Sequence, residues 1–127
     1  MLKRTIIKNS ILVNEGKSFE SDLMICEGRI ERIDRDISHN EAIIVEANDL
    51  YLIPGCIDDQ VHFRDPGLTH KADIATESRA AVAGGITSFM EMPNTIPNTL
   101  TKALLEAKYQ IAEKKSVANY SFYMGVS

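Results

Sequence analysis

The stretch P-G-C-I-D-D-Q-V-H-F-R-D-P-G, residues 54–67, decides how the rest of this chain is interpreted. It opens with a Pro-Gly pair, continues through residues typical of a short strand, and closes with a second Pro-Gly pair that indicates a turn. Its polar side chains are of four kinds: carboxylates, an amide, an imidazole and a guanidinium. No other stretch of the sequence gathers so many groups capable of ligand binding or catalysis.

The central part of this stretch, residues 56–63, is predicted to be a β-strand. Because side chains alternate between the two faces of a strand, Asp58, Gln60 and His62 are predicted to share one face. Carboxylate oxygens and imidazole nitrogens are the usual ligands of a catalytic divalent metal such as zinc. A single histidine at a strand end is, taken alone, more often a structural residue than a ligand, so both interpretations stay open at this point.

Two further polar residues lie in loops that follow predicted strands. Arg64 comes just after the first strand, and a guanidinium is well shaped to bind a carboxylate through two parallel hydrogen bonds. Asn94 lies in a second loop, between Pro93 and Pro97. From its position alone, Asn94 is equally well interpreted as a turn residue or as a fixed hydrogen-bonding group.

Composition excludes several classes of protein. The 127 residues are 44% hydrophobic and 25% charged, which is typical of a globular chain. The net charge of −4 and the lack of a basic run argue against nucleic acid as a partner. No apolar run is long enough to cross a membrane. Cys26 and Cys56, without a C-x-x-C pattern, are interpreted as reduced, buried thiols of a cytoplasmic protein.

The pattern of apolar residues divides the chain at Pro54. Residues 1–53 predict a small β-domain of about five short strands, including a hairpin with Gly28 in its turn. Residues 54–127 predict alternating strands and helices in the order β-α-β-α-β, which favours α/β architecture. In such folds ligands bind beyond the carboxyl ends of the strands, where the loops 62–67 and 92–98 are both expected.

Two helices are predicted after Pro54. The first covers residues 71–83, with Thr69 as its N-cap and a Gly-Gly pair at its end. The second covers residues 100–115. Its predicted buried stripe consists of Leu100, Ala103, Leu104, Ala107 and Ile111.

Two motifs resemble those of dihydroorotases, which are cyclic amide hydrolases of pyrimidine biosynthesis in the amidohydrolase superfamily. The first is P-G-x-x-D-x-x-x-H-F-R-D-P-G over residues 54–67. The second is A-G-G-I-T over residues 83–87, followed by M-P-N-T-x-P-x-T over residues 92–99. The form of the second motif favours dihydroorotases over the related hydantoinases and allantoinases.

The resemblance implies the N-terminal part of a (β/α)8 TIM barrel, with about three of its strands, preceded by a small β-rich domain. A complete barrel of this kind takes about 250 residues. The chain is therefore expected to be the first part of a longer enzyme, with its catalytic aspartate and later metal ligands beyond Ser127. The 127 residues alone are expected to be inactive.

The resemblance also implies a reaction and roles for individual residues. The reaction is the reversible hydrolysis of dihydroorotate to N-carbamoyl-aspartate by a metal-activated hydroxide, with one or two zinc ions. His62 corresponds to the second histidine of the family's H-x-H metal motif, and Asp58 to the acidic residue before it. Arg64 and Asn94 correspond to the pair that holds the substrate carboxylate.

One position departs from the family pattern. Gln60 stands where the first histidine of H-x-H is expected, and a neutral amide is a poor zinc ligand compared with imidazole. Gln60 or Asp58 could substitute as a ligand, or the chain could be a catalytically silent dihydroorotase-like partner of another pyrimidine-pathway enzyme. A hydantoinase-like or allantoinase-like cyclic amidase is a further alternative. The enzyme interpretation implies a small-molecule substrate and is compatible with a homo-oligomer.

Overall fold

The computed structural model describes residues 3–126, which divide between Pro54 and Gly55 into two units. The domain boundary predicted from the sequence lies one residue earlier. The described part of the first unit is a β-sheet, and the second unit combines a parallel sheet with two helices. Within residues 3–126, no helix has the length and apolar character needed to cross a membrane.

The first unit is organised around its longest strand, β1 (Arg4–Asn14). This strand runs antiparallel to β2 and parallel to both β4 and β5, and the sheet order is β3-β2-β1-β4 with β5 also beside β1. The other strands are β2 (Lys17–Cys26), β3 (Arg29–Asp34), β4 (Ile43–Glu46) and β5 (Tyr51–Leu52). The hairpin between β2 and β3 turns at Glu27 and Gly28, whose φ angles of 50° and 72° suit a tight two-residue turn.

A buried carboxylate fixes a bulge in β1. The register with β2 shifts between Ile7 and Ser10, and Asn9 at this point has a φ of 58°. The Asp22 carboxylate accepts the backbone N–H groups of Asn9 at 2.9 Å and Ile37 at 2.8 Å, and lies 2.8 Å from the Lys8 ammonium. Burial raises the pKa of Asp22, but these donors outweigh burial and hold the pKa below its ordinary value.

The second unit has the predicted β-α-β-α-β order. Its parallel sheet has the strand order β6-β7-β8. The elements are β6 (Cys56–Val61), α1 (Ile74–Ala83), β7 (Ile86–Glu91), α2 (Lys102–Lys115) and β8 (Asn119–Phe122). His62 therefore lies just after β6 rather than within it.

Aromatic residues fill the core of the second unit. Val61 and Phe63, which alternate with Gln60 and His62 along the chain, are buried. The rings of Phe63 and Phe89 have centroids 4.5 Å apart. Ile57 belongs to the same alternation but is 70% exposed, so the strand buries this face only near its carboxyl end.

Helix α1 begins later than predicted. Its N-cap is Asp73, whose carboxylate accepts the backbone N–H of Thr76 at 3.0 Å, so the prediction of Thr69 was wrong. The backbone turns twice before the cap. The Leu68 N–H donates to the Arg64 carbonyl, and the Lys71 N–H donates to the Leu68 carbonyl. The segment after the second Pro-Gly pair is therefore turn rather than helix.

The buried face of α2 differs from the predicted stripe. Ala103 and Ala107 are exposed and Leu100 is 39% exposed, whereas Lys108 is 1% exposed. The face that packs inward consists of Leu105, Lys108, Tyr109, Ile111 and Ala112. Of the predicted stripe, Ile111 packs against the core and Leu104 is half-buried. The prediction omitted Lys108, which has a buried carboxylate as its partner.

The two thiols are also less buried than predicted. Cys56 is exposed and Cys26 is half-buried. Cys56 is the first residue of β6, and Cys26 is the last residue of β2 before the hairpin turn. Strand ends of this kind are poorly covered, which explains the difference.

Candidate active site

The loops after β6 and β7 are joined by backbone hydrogen bonds at the carboxyl ends of these strands. The Ile96 N–H donates to the Pro66 carbonyl at 3.1 Å, and the Met92 N–H donates to the Val61 carbonyl at 3.0 Å. Gly67 has a φ of 84°, and a Cβ atom there would lie 2.0 Å from the Ile96 carbonyl oxygen. Only glycine fits this approach, so the second Pro-Gly pair allows the two loops to pack together.

This packing brings together two residues singled out in the sequence. His62 Nδ1 lies 3.0 Å from Asn94 Oδ1, although the two residues are 32 positions apart. Both side chains are exposed at the surface of the joined loops. Since an amide oxygen only accepts hydrogen bonds, the imidazole is the donor.

Threonines of the second motif hold the loop that carries Asn94. The N–H groups of Thr95 and Thr99 both donate to the Pro93 carbonyl at 2.9 Å, and the Thr95 hydroxyl donates to the Pro97 carbonyl at 2.9 Å. Both threonines are 1% exposed. The M-P-N-T-x-P-x-T pattern therefore specifies a self-bonded loop that exposes the amides of Asn94 and Asn98, a structural role that the sequence reasoning missed.

Arg64 sits in the tightest part of the first loop. Its φ of 67° is in the left-handed region that is uncommon for a residue with a side chain. The conformation is held by the Leu68 N–H, which donates to the Arg64 carbonyl at 3.1 Å. Such backbone strain often marks a functional position.

Asp65 has a structural role in the same loop. Its carboxylate is buried and lies 2.6 Å from the Lys115 ammonium near the end of α2. This ion pair ties the loop to the helix. Asp65 was one of the three carboxylates that made the first motif conspicuous, but it points into the protein rather than into the exposed site.

The buried ion pair of Glu91 and Lys108 contacts the backbone next to the two loops. Glu91 Oε2 lies 2.9 Å from Lys108 Nζ, and both side chains are 1% exposed. Lys108 also donates to the Met92 carbonyl at 3.2 Å, at the start of the second loop. Among residues 3–126, no donor makes a well-aligned hydrogen bond to either Glu91 oxygen.

The pKa of Glu91 is shifted in the opposite direction from the pKa of Asp22. Burial raises the pKa of Glu91, and the attraction of Lys108 and the nearby Arg64 backbone N–H reduces this effect without cancelling it. The negative charge of Asp65 raises the pKa further. The sequence offered only a weak signal for this pair, namely an acidic residue directly before the M-P-N-T motif.

The predicted metal-binding face carries only some of the ligands that a metal ion needs. Asp58 and Gln60 are both exposed, and Asp58 Oδ1 accepts the Gln60 backbone N–H at 3.1 Å. Across residues 3–126, no three His, Cys, Asp or Glu side chains are placed to share one ion. His62 with Asp58 or Gln60 supplies fewer than the three or four protein ligands of a zinc site. The described residues therefore do not complete a metal site by themselves.

A cavity of about 340 Å³ lies beside Gln60 at the carboxyl ends of the strands. Besides Gln60 it is lined by Asp59, Met92, Pro93, Tyr123 and Met124. Ligands of parallel α/β folds bind at this end of the sheet, so the cavity belongs to the region where a ligand is expected.

The chain matches the family model described as Dihydro-orotase-like over residues 50–126. It is 46% identical over 99 residues to a dihydroorotase of Aquifex aeolicus, which covers 76% of this chain and 23% of that protein. It is 37% identical over 122 residues to an allantoinase of Bacillus velezensis, which covers 95% of this chain and 27% of that protein. Among solved structures it is similar to L-hydantoinase from Arthrobacter aurescens, with a TM-score of 0.90 and 31% identity over 98% of this chain and 28% of that chain.

These relatives are all cyclic amide hydrolases of the amidohydrolase superfamily. The chain belongs to the dihydro-orotase-like family. Its fold is α/β, the first part of a (β/α)8 barrel preceded by a small β-rich unit. The chain spans about a quarter of the length of the curated relatives that it matches.

Proposed function

We propose that this chain is part of a dihydroorotase, which hydrolyses the ring amide of dihydroorotate to N-carbamoyl-aspartate and also catalyses ring closure. The observation that supports the substrate is the junction of the two loops, which places Arg64 and Asn94 on connected backbone beside His62. A guanidinium and an amide N–H₂ are suitable donors for the carboxylate of dihydroorotate. The proposed protein is cytoplasmic, and a homo-oligomer or a complex with another pyrimidine-pathway enzyme is compatible with it.

The proposed reaction needs an activated water and a proton carrier. Water adds to the ring carbonyl carbon, the C–N bond breaks, and the ring nitrogen receives a proton. Zinc, when bound, would supply the Lewis acid for this step, with His62 as a ligand and Asp58 or Gln60 as a substitute ligand. The catalytic aspartate is proposed to lie outside these residues, so the 127 residues alone are not expected to turn over substrate.

A cyclic amidase of allantoin or a hydantoin is a second candidate. The allantoinase of B. velezensis and the L-hydantoinase of A. aurescens are similar over almost the whole of this chain, which favours the broader class without distinguishing its substrates. A catalytically silent partner protein is a third candidate, and Gln60 at the expected histidine position is the feature that favours it.

One substrate panel distinguishes the three candidates. The full-length protein is assayed by ultraviolet absorbance with dihydroorotate, allantoin and hydantoin, each with and without a chelator. We expect chelator-sensitive hydrolysis of dihydroorotate alone. Turnover of only the other substrates would replace the proposal by the second candidate, and a folded, zinc-supplied protein without any turnover would favour the third.

The substitution Arg64→Met tests the carboxylate contact. The KM for dihydroorotate is expected to rise by about tenfold or more, because a charge-assisted pair of hydrogen bonds is lost. Lys114→Met, which removes a positive charge near the end of α2, is the matched control. Unchanged kinetics in Arg64→Met would show that Arg64 does not bind the substrate.

A further inference from the structure

The strand β3 forms one edge of the sheet in the first unit. Within residues 3–126 it pairs only with β2, and all of its residues, Arg29–Asp34, are exposed. Its two isoleucines, Ile30 and Ile33, are 63% and 47% exposed. The outer side of an edge strand has unpaired N–H and C=O groups, to which another strand can hydrogen-bond. This edge is therefore a candidate surface for binding another chain.

A bulge places the two isoleucines of β3 on one face of the strand. Neighbouring residues of β2 pair with Ile30 and Arg32, so Glu31 is an extra residue in the strand. In a regular strand, side chains three positions apart point to opposite faces. Because of the extra residue, Ile30 and Ile33 instead line the same apolar cavity, which has a volume of about 420 Å³.

The charged side chains of β3 share the other face. Arg29, Arg32 and Asp34 each lie next to an isoleucine in the strand and therefore point away from the apolar cavity. Glu31 accepts two hydrogen bonds from the Arg4 guanidinium, at 2.9 and 3.1 Å. Arg4 and Arg29 have the same cross-strand neighbour in β2, so Glu31 lies on the charged face as well. The edge therefore presents an apolar row and a charged row.

The order of charges along β3 is complementary to itself when the strand is read in the opposite direction. The residues are, in order, Arg29, Ile30, Glu31, Arg32, Ile33 and Asp34. In antiparallel register with a second copy, the opposed pairs are Arg29 with Asp34, Ile30 with Ile33, and Glu31 with Arg32. Every charged side chain then faces one of opposite sign, and the apolar side chains face each other. Both kinds of cross-strand pair are favourable.

The same charges make other pairings of this edge unfavourable. Charged side chains on an edge strand usually prevent edge-to-edge association. A parallel, in-register pairing of two copies of β3 would place each charge opposite an identical one. Antiparallel pairing about the centre of the strand places no like charges opposite each other. The charge order therefore selects one arrangement of two copies.

We propose that β3 is a self-recognition surface, at which two copies of this protein pair their edge strands antiparallel. The two-fold axis passes between Glu31 and Arg32, and the sheets of the two first units become continuous through the paired strands. The partner is a second copy because a two-fold interface requires a surface that complements itself, and the charge order of β3 meets this requirement. The proposal does not depend on which reaction the protein catalyses.

Charge reversal at either end of β3 tests the pairing. Arg29→Glu places two carboxylates opposite each other at both ends of the paired strands, and Asp34→Lys places two cations there. Each variant of the full-length protein is expected to weaken this contact by about tenfold or more in Kd, because like charges then lie directly opposite. Sedimentation velocity over a range of concentrations measures the Kd, and in a larger assembly the loss of this contact would halve the mass.

A mixture of the two variants provides the decisive measurement. In a heterodimer of Arg29→Glu with Asp34→Lys, every opposed pair again has opposite charges, so mixing is expected to restore association. A general loss of folding in either variant would not be repaired by mixing. Arg79→Glu, which reverses an exposed charge on α1, is the matched control and should associate like the wild type.

Three outcomes would overturn the proposal. One is a wild-type protein that stays monomeric at every concentration. Another is association that neither reversal weakens, which would assign the contact to a different surface. The third is a pair of monomeric variants that do not associate when mixed, because β3 would then not pair in the antiparallel register.

Discussion

Each unit of this chain contains a buried carboxylate beside a lysine, yet the two carboxylates behave in opposite ways. Asp22 in the first unit receives two backbone N–H groups as well as Lys8, and its pKa lies below the ordinary value. Glu91 in the second unit has Lys108 at 2.9 Å but no well-aligned donor among the described residues, and its pKa is raised. Lys108 and the nearby Arg64 backbone N–H do not offset the burial of Glu91, whereas Lys8 and two aligned backbone N–H groups do so for Asp22.

The difference fits the surroundings of the two pairs. Asp22 holds a β-bulge in the first unit, where its carboxylate oxygens accept two backbone N–H groups. Glu91 and Lys108 support the loops that carry Arg64 and Asn94, and the pKa of Glu91 stays raised because its partners do not fully offset its burial. Poorly satisfied buried charges of this kind are concentrated at functional sites.

The largest loss of stability is expected when only one member of the Glu91–Lys108 pair is replaced. Lys108→Met leaves the Glu91 carboxylate buried without its partner, and removal of one member of a buried pair costs about 3–5 kcal/mol. Urea unfolding followed by amide NMR would report each unit separately, since the signals of residues 3–54 and 55–126 are distinct reporters. A loss below about 1 kcal/mol in the second unit would contradict the buried ion pair.

Removing both charges of the second pair sharpens the comparison. The double substitution Glu91→Leu with Lys108→Met is expected to recover most of the stability lost in Lys108→Met, because well-packed apolar residues replace buried pairs at little cost. The same urea experiment measures the recovery. If the double variant were as unstable as the single one, packing rather than the unpaired charge would explain the loss.

Asp22→Ala is expected to have the next largest effect. Two backbone N–H groups at the β1 bulge would lose their acceptor, at a cost of about 1–3 kcal/mol for an unsatisfied buried group. Asp36→Ala, which removes an exposed contact to the same lysine, is the control and should have almost no effect. Equal losses in both variants would show that Lys8, and not the backbone, makes the important contact.

The smallest expected effect is an opposite pH dependence of the two units. The lowered pKa of Asp22 stabilises the first unit above its ordinary value of 3.8, and this contribution is lost as the pH falls through the lowered pKa. The raised pKa of Glu91 gives a contribution that is present below 4.5 and is lost as the pH rises through the raised pKa. Asp22→Asn and Glu91→Gln should each flatten the corresponding trend in NMR-detected stability, and parallel trends in both units would contradict the assignment.

Prediction from the sequence succeeded where local patterns decide the outcome. The order of strands and helices after Pro54 and the turn at Gly28 follow from turn residues and from the period of apolar side chains. Helix caps were less predictable, since Thr69 and Asp73 are both good N-caps and only the turns between them select one.

Prediction failed where a residue's environment depends on distant partners. Lys108 faces the core because Glu91, 17 positions earlier in the sequence, supplies a charge there. Asp65 is buried because Lys115 reaches it from the end of α2. No periodicity reveals such pairs, because the cost of burying a charge is compensated only once the partner is in place.

The sequence by itself determined the division at Pro54, the α/β order of the second unit and the two loops that carry the candidate residues. Parallel strands place both loops at the same end of the sheet, so their proximity could be anticipated from topology. Only the tertiary structure decided that His62 contacts Asn94, that Asp65 serves the scaffold and that a charged pair lies beneath the loops. Hydrogen bonds depend on distances of a few tenths of an ångström between residues far apart in the chain, and packing sets those distances.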